Sequence, residues 1–472
     1  MWDFGIENGL IVTLGASYEA NIYGSGGRIG AITSERQQAA SVLDATGLAV
    51  LPGMIDAHVH SRDPGWPDKE DFYHSTRAAA AGGVTTILEM PNSVPAVFNA
   101  SELRKRREYL GRRAYVDYGL WGLALATTTP EEFQEMVREG ACGFKFFWGY
   151  ALDPHTYELV YNPVPGADVL EPPSDGQVYE IFRRVAQAGQ VLAVHAENQS
   201  VIAALSVLAN GTDYEALMQT RPELTEVMAI HAAVDLAEHT GVRLHIVHLG
   251  SAEGAHIVHQ AAKRGVSVTC ETCPQYVTLS DRDYARVGTP MKVYPPIRSE
   301  ENRNRLVEAL KQGMIRLIAS DHAPHTAAAK QGPLNEIPAG VAGVETLFRL
   351  TLDMALRGEL ELQQVVRYMS EEPARLFGLY PKKGAVMPGS DADLVMVDLK
   401  GTWTVEEDKL HSLNPLNPWE GRTLMGNIRS TMLRGRIIFQ DDAILGKPGD
   451  GQFVAPLVQH RSAASPGHAT VM

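Results

Sequence analysis

The chain has 472 residues, 44% hydrophobic and 21% charged, which is room for a barrel-sized core with a smaller companion and not the composition of a disordered protein. Its 42 Lys and Arg stand against 56 Asp and Glu, a formal net charge of −14, so nucleic acid and anionic membranes are poor partners. No run approaches the roughly 20 apolar residues of a membrane helix. The opening stretch lacks the basic leader and apolar core of a secretion signal, and 3 cysteines are too few for a disulfide framework, so a reducing cytoplasm is expected.

Taken in chain order, residues 1–50 carry short strand-like pieces, "GLIVTL", "RIGAI" and "LAV", separated by glycine turns. From residue 51 apolar runs alternate with amphipathic stretches. The runs 51–58, 84–90, 116–125, 143–148, 191–195, 243–248, 266–271 and 315–321 read as strands. Between them "KEDFYHSTRAAAA" is closed by Gly82 and Gly83, and "PEEFQEMVREG" opens on Pro and ends on Gly, as helices do. This alternation predicts an α/β fold, a (β/α)8 TIM-type barrel over residues 51–377. Residues 378–445 return to short strands, "GAVMPGSDADLVMVDL" and "STMLRGRIIF". Neither flank could bury both its faces alone, so 1–50 and 378–445 are expected to form one small β-sandwich domain. Residues 151–175, with five prolines and no period, read as a long loop serving a site or a partner surface. Residues 446–472, rich in Pro, Gly, Ser and Ala, read as a C-terminal arm, partly disordered.

In such a barrel chemistry gathers at the carboxyl ends of the strands. The first strand ends in His58-x-His60, and the two-residue period points both rings the same way. The fourth carries Lys145 in an otherwise apolar "GFKFF"; the fifth ends in His195, the sixth in His248 and the eighth in Asp321. One terminal histidine is usually a structural hydrogen bonder, and one buried lysine usually pairs with a carboxylate. Six such residues on five strand ends are better read as a metal site. His231, His239, His256 and His259 fall in helical stretches and read as surface or packing residues, and "CETC" as ordinary strand and loop residues. An ammonium among metal ligands would leave the site strongly positive, whereas a CO2-derived carbamate on Lys145 supplies an anion able to bridge two divalent ions. All-nitrogen-and-oxygen ligation suits Zn²⁺, with Mn²⁺, Co²⁺ or Fe²⁺ as alternatives.

"PGMIDAHVH", "GFK", "VHAEN", "HIVHLGS" and "ASDHAPH", in this order, resemble the cyclic amidohydrolases: hydantoinase, dihydropyrimidinase, allantoinase and dihydroorotase. The resemblance covers nearly the whole chain, with "FGLYPKKGAVMPGSDADLVMVDL" and "MLRGRIIF" like the family's closing strands. It implies one ion on His58, His60, Lys145 and Asp321 and another on Lys145, His195 and His248. A hydroxide held between them would attack an endocyclic amide carbonyl, with Asp321 first taking its proton and then passing it to the ring nitrogen. The implied partner is a small cyclic amide or ureide, and a homo-oligomer, tetramer or dimer, is expected.

The ring itself is signalled two ways. Tyr150 stands five residues after Lys145, as in hydantoinases, where that hydroxyl touches the tetrahedral intermediate. "CETCPQYVTL", "MKVYPPIR" and "NPWEGRTLMGNI" are similar to hydantoinase and allantoinase, and Tyr294 stands where backbone atoms before the "PP" pair hold the ring. Against this, Arg62, Asn92 and His325 match residues with which dihydroorotases grip a carboxylate. Plain alternatives are a loop salt bridge for Arg62 with Asp63 or Asp68, and a turn brace for Asn92. The balance favours a five-membered cyclic ureide of hydantoin or allantoin type, with dihydroorotate second and a metal-free scaffold protein a remote third.

Overall fold

The structure is a computed structural model and describes residues 1–160, 166–209 and 211–457. The N-terminal flank supplies β1 (Trp2–Val12), β2 (Ser17–Ser25), β3 (Arg28–Thr33), β4 (Ala39–Asp44) and β5 (Ala49–Pro52). Then come β6 (Met54–Val59), β7 (Val84–Glu89), β8 (Asp117–Leu123), β9 (Ala141–Phe147) and a two-rung hairpin, β10 (Ala151–Leu152) with β11 (Leu159–Val160). They are followed by β12 (Val191–His195), β13 (Arg243–Ile246), β14 (Val268–Thr272) and β15 (Leu317–Ile318). The C-terminal flank adds β16 (Leu394–Thr404), β17 (Thr423–Leu433), β18 (Arg436–Gln440) and β19 (Ala443–Ile444).

Among the described residues, β6 to β9 and β12 to β15 hydrogen-bond in sequence order as eight parallel strands. The two ends of the path meet where Val59 bridges His322 and the His60 N–H donates to the His322 carbonyl at 2.7 Å. Every residue of β6 and β7 is buried on both faces, which is why these strands read as continuous apolar runs rather than alternating ones. The eight strands fall within or beside the expected segments. The eighth is shorter than expected: regular pairing stops at Ile318 because Ser320 turns inward, donating through its N–H and Oγ to the buried Asp56 carboxylate.

The helices obey their local signals. Asp71 caps Phe72–Ala81 by accepting from the His74 N–H, and the chain leaves at Gly82. Thr129 and Glu132 form a reciprocal cap on Pro130–Arg138. His231 and His239 lie in the helix Glu223–Thr240, and His256 and His259 in Ala252–Lys263. The three cysteines are buried and unbonded to one another.

The two flanks join as expected, in one hydrogen-bonded path that runs β19-β18-β17-β16-β5-β1-β2-β3, with β4 also on β1. β1 changes partner along its length: Trp2–Glu7 lie parallel to β4, and Leu10 and Ile11 parallel to β5. Ile6, Ile11, Ile22, Val50, Leu394 and Met396 pack together inside this fork. Lys383 ties the flank to the barrel foot, 2.6 Å from Asp393 and 2.9 Å from Asp391, and also in contact with Asp117 at the start of β8. Of the C-terminal arm, residues 446–457 lie along the same foot, where Tyr118 pairs with Gln452 and Val454 through the backbone; 458–472 lie outside the described residues.

Candidate metal centre

Six side chains meet at the carboxyl ends of the barrel strands. His58 Nε2 lies 3.2 Å from His60 Nε2, and Asp321 Oδ1 lies 3.3 and 3.5 Å from those two nitrogens. Beside them His195 Nδ1 is 2.9 Å from His248 Nε2. Lys145, beside Ala193 in the register of β9 on β12, lines the same cavity, fully buried, and its Nζ has no hydrogen-bond partner. Three of the residues around the mouth hold left-handed backbone, Arg62 (φ 59°), His248 (φ 38°) and Asp321 (φ 50°), a strain of about 1–3 kcal/mol each that aims their side chains inward.

The protonation pattern suits cation binding. Burial holds His60 down to about 3 and pushes His195 and His248 below the ordinary imidazole range, so all three rings are neutral and carry a lone pair. Burial also works to raise Asp321, but His58, His60 and His248 more than offset it and keep the carboxylate ionised. Lys145 is pushed down to about 8 by burial, with Asp321 and Glu271 resisting. Four imidazole nitrogens, a carboxylate and an unpartnered buried amine crowded this closely fit divalent cations and little else.

Three of the four rings are aimed by a partner behind them, whereas the buried His248 Nδ1 has none among the described residues. His58 Nδ1 is 2.6 Å from Glu271 Oε1, His60 Nδ1 is 2.7 Å from Asn92 Oδ1, and His195 Nε2 is 3.0 Å from Glu197 Oε2. Those contacts assign the proton to the outer nitrogen and leave His58 Nε2, His60 Nε2 and His195 Nδ1 as donors toward the centre. Glu271 is shared: its second oxygen is 3.1 Å from His245 Nε2, whose Nδ1 lies 2.8 Å from Thr269 Oγ1. Burial opposes its charge, but His58 and His245 more than offset that and hold it well below the carboxylate range. Glu271→Gln should weaken metal binding about 10- to 100-fold. Chelator competition would measure this; unchanged affinity would mean that Glu271 does not govern His58.

Four of the five residues expected to meet substrate line the cavity: Arg62, Asn92, Tyr150 and Tyr294. The Tyr150 hydroxyl lies 3.3 Å from His195 Nε2. His325 stands one layer back, its Nε2 3.0 Å from the Ala339 carbonyl and 3.4 Å from Arg62 Nη2, held neutral by burial and by Arg62. Its carbonyl partner Ala339 lines the cavity, as does Gly340. Only glycine fits at 340, where φ is 143° and a Cβ would stand 2.1 Å from the Ala323 carbonyl oxygen.

Sequence reasoning passed over Glu271, Glu197 and Arg221. Glu271 shares a strand face with Thr269 in the stretch read for its cysteines, and Glu197 follows His195 at the two-residue spacing, so period two could have found both. Arg221 has no local signal; it reaches Glu197 from the end of a helix 24 residues on.

An amidohydrolase-family model matches residues 49–438. The chain is 34% identical over 464 residues to an L-hydantoinase of Paenarthrobacter aurescens, covering 96% of this chain and 98% of that protein. It is also 34% identical over 460 residues to an allantoinase of Rubrobacter xylanophilus, covering 96% and 94%. Among solved structures, L-hydantoinase (dihydropyrimidinase) from Arthrobacter aurescens superposes with a TM-score of 0.90 at 34% identity, over 96% of this chain and 100% of that one. A dihydropyrimidinase from Brevibacillus agri superposes with a TM-score of 0.85 at 27% identity, over 96% and 99%.

Proposed function

The chain belongs to the amidohydrolase family, and on that premise we propose that it opens a cyclic ureide of the hydantoin or allantoin type by hydrolysing an endocyclic amide bond. It is a hydrolase of cyclic amides. The observation that carries the reading is the set of five donors gathered with one buried amine at the barrel mouth, in a chain that matches hydantoinase and allantoinase along almost its full length.

His58, His60 and Asp321 would hold one cation, His195 and His248 the other, with Lys145 between them. Two divalent ions, Zn²⁺ by this donor set, would polarise the amide carbonyl and make water a nucleophile near neutral pH. The Lys145 amine, buried and with a lowered proton affinity, has a neutral fraction able to add to CO2; forming the N–C bond with loss of a proton would give a carbamate, and Lys145 would then supply an anion to offset the charge of the two cations. Asp321 Oδ1 faces the two histidines, so its second oxygen is the one to take the proton of the attacking water. Asp321 then returns that proton to the departing ring nitrogen as the C–N bond breaks, leaving an open-chain ureido acid. Tyr150 would donate its hydroxyl to the oxygen that gains charge, and the backbone at Tyr294 would hold the ring. Ring opening measured across hydantoin, allantoin, dihydrouracil and dihydroorotate, with metal content determined on the same sample, tests this reading; protein without near-stoichiometric metal would point to a scaffold instead.

The dihydroorotate reading rests on Arg62, which stands against His325 at the cavity wall. A carboxylate on the ring would meet the guanidinium in a charge-assisted contact, and Arg62→Ala would then cost about 2–5 kcal/mol, or about 30-fold or more in kcat/KM. For a neutral ureide we expect the wild type to prefer that ring and Arg62→Ala to stay within about tenfold of it. Side-by-side kcat/KM on dihydroorotate and a neutral ureide decides. We also propose a cytoplasmic dimer or tetramer; the exposed Val207, Leu208, Leu224 and Met228 are apolar surface that an assembly would cover, and sedimentation measures its size.

A further inference from the structure

Arg221 sits directly behind the cavity, 7% exposed, in the joint between the helices Tyr214–Thr220 and Glu223–Thr240. The joint is rigid: Pro222 follows, and the buried Arg298 donates to the Arg221 carbonyl at 3.2 Å while pairing with Glu226 at 2.7 Å. The Arg221 side chain touches three things at once. Nη1 donates to Glu197 Oε2 at 2.5 Å, the carboxylate that orients His195. The central guanidinium carbon sits over the Tyr294 ring, 3.6 Å from its centroid. The Tyr150 hydroxyl interacts with the same group. Both tyrosines line the cavity on this side.

We infer that Arg221 is a positioning residue that fixes Tyr150 and Tyr294 as one rigid wall of the substrate cavity, and thereby sets which ring size is turned over. The inference rests on the ureide-opening reading above. The reason is geometric. A charge on Glu197 needs only one cationic donor, but a planar fork alone can satisfy Glu197 and Tyr150 while stacking on Tyr294. Lysine keeps the charge and has three N–H donors, but all on one nitrogen, so it cannot reach Glu197 and cover the Tyr294 ring together. Without that cover the Tyr294 ring is free to swing, and the hydroxyl of Tyr150 no longer holds its line to the reacting carbonyl.

The test is Arg221→Lys, with Tyr294→Leu and the double variant, assayed for kcat and KM on hydantoin and dihydrouracil, with metal content and melting temperature measured on each. Arg221→Lys should keep the metal content of wild type and lower kcat about 10- to 100-fold, as displacement of a positioning group by an ångström does. KM should change less, and the preference between five- and six-membered rings should shrink. In the Tyr294→Leu background the same substitution should cost clearly less, because the stack is already gone. Wild-type kcat and ring preference in a folded Arg221→Lys would overturn the inference, leaving Arg221 a counter-ion to Glu197. Loss of metal in step with activity would overturn it too, since the effect would then run through His195 alone. Wild type that opens neither of these rings nor allantoin would overturn the ureide reading, and with it this inference, a result distinct from the two above.

Discussion

Lys145→Ala is expected to purify with well under the metal content of wild type and to lose turnover on the order of 10³-fold or more, the largest single effect at the site. The side chain is wholly buried, its nitrogen has no hydrogen-bond partner, and it lines the same cavity as the His58–His60–Asp321 cluster and the His195–His248 pair. Alanine removes the anion that would balance two cations and leaves their histidines facing across a gap. Short carboxylic acids such as formate, acetate or propionate, added with excess metal, should restore part of the activity by occupying the place of the carbamate, and the best acid should be the one whose length matches the missing chain. A fully active Lys145→Ala protein, or one whose metal content does not fall, would sink the bridging role. Loss of activity on exhaustive removal of CO2 from metal-free protein, and its return with bicarbonate, would distinguish a carbamate from an amine acting by itself.

Asp321→Asn is expected to separate proton transfer from metal holding. Asparagine keeps an oxygen where Oδ1 meets His58 and His60, so metal content should fall only partly. It cannot carry a proton from water to the ring nitrogen, a role that contributes about 10²- to 10⁴-fold. Turnover should therefore fall far more than bound metal, for every ring the wild type opens. If turnover stays within tenfold, about 1.4 kcal/mol of barrier, some other group moves the proton.

The parts of the fold that could be read from the chain are those set by local periodicity. All eight barrel strands stand out because burial on both faces makes them short apolar runs, and the strand-end histidines stand out because polar residues interrupt those runs. Where the reading stopped, the cause was non-local. The length of β15 depends on Ser320 bonding to Asp56, 264 residues away. Glu271 becomes a partner of His58 only because closure of the barrel brings β14 to face β6, 213 residues away in sequence. Arg221 reaches Glu197 by the packing of a helix joint that no period announces. His325 shows the reverse case: its motif points to the cavity, yet the loop carries it behind Arg62, where its ring nitrogen meets a backbone carbonyl.

The join between β5 and β6 has a bearing on how the protein is made. A single residue, Gly53, separates a strand of the flanking sheet from the strand that carries His58 and leads into His60, and a Cβ there would strike the Thr85 side chain at 2.2 Å. β5 takes its second partner from β16, with Ala49–Pro52 set against Leu394–Val397. On the ribosome those partners are separated by about 340 residues, roughly 20–70 s of synthesis at 5–20 residues per second, whereas a hairpin closes in microseconds. Through that interval the nascent chain presents β5 as an open edge of the kind that pairs with neighbours, and β6 lacks the anchor at its foot. That edge is closed only after residues 394–404 have emerged, which makes completion of the flanking sheet a late event in synthesis.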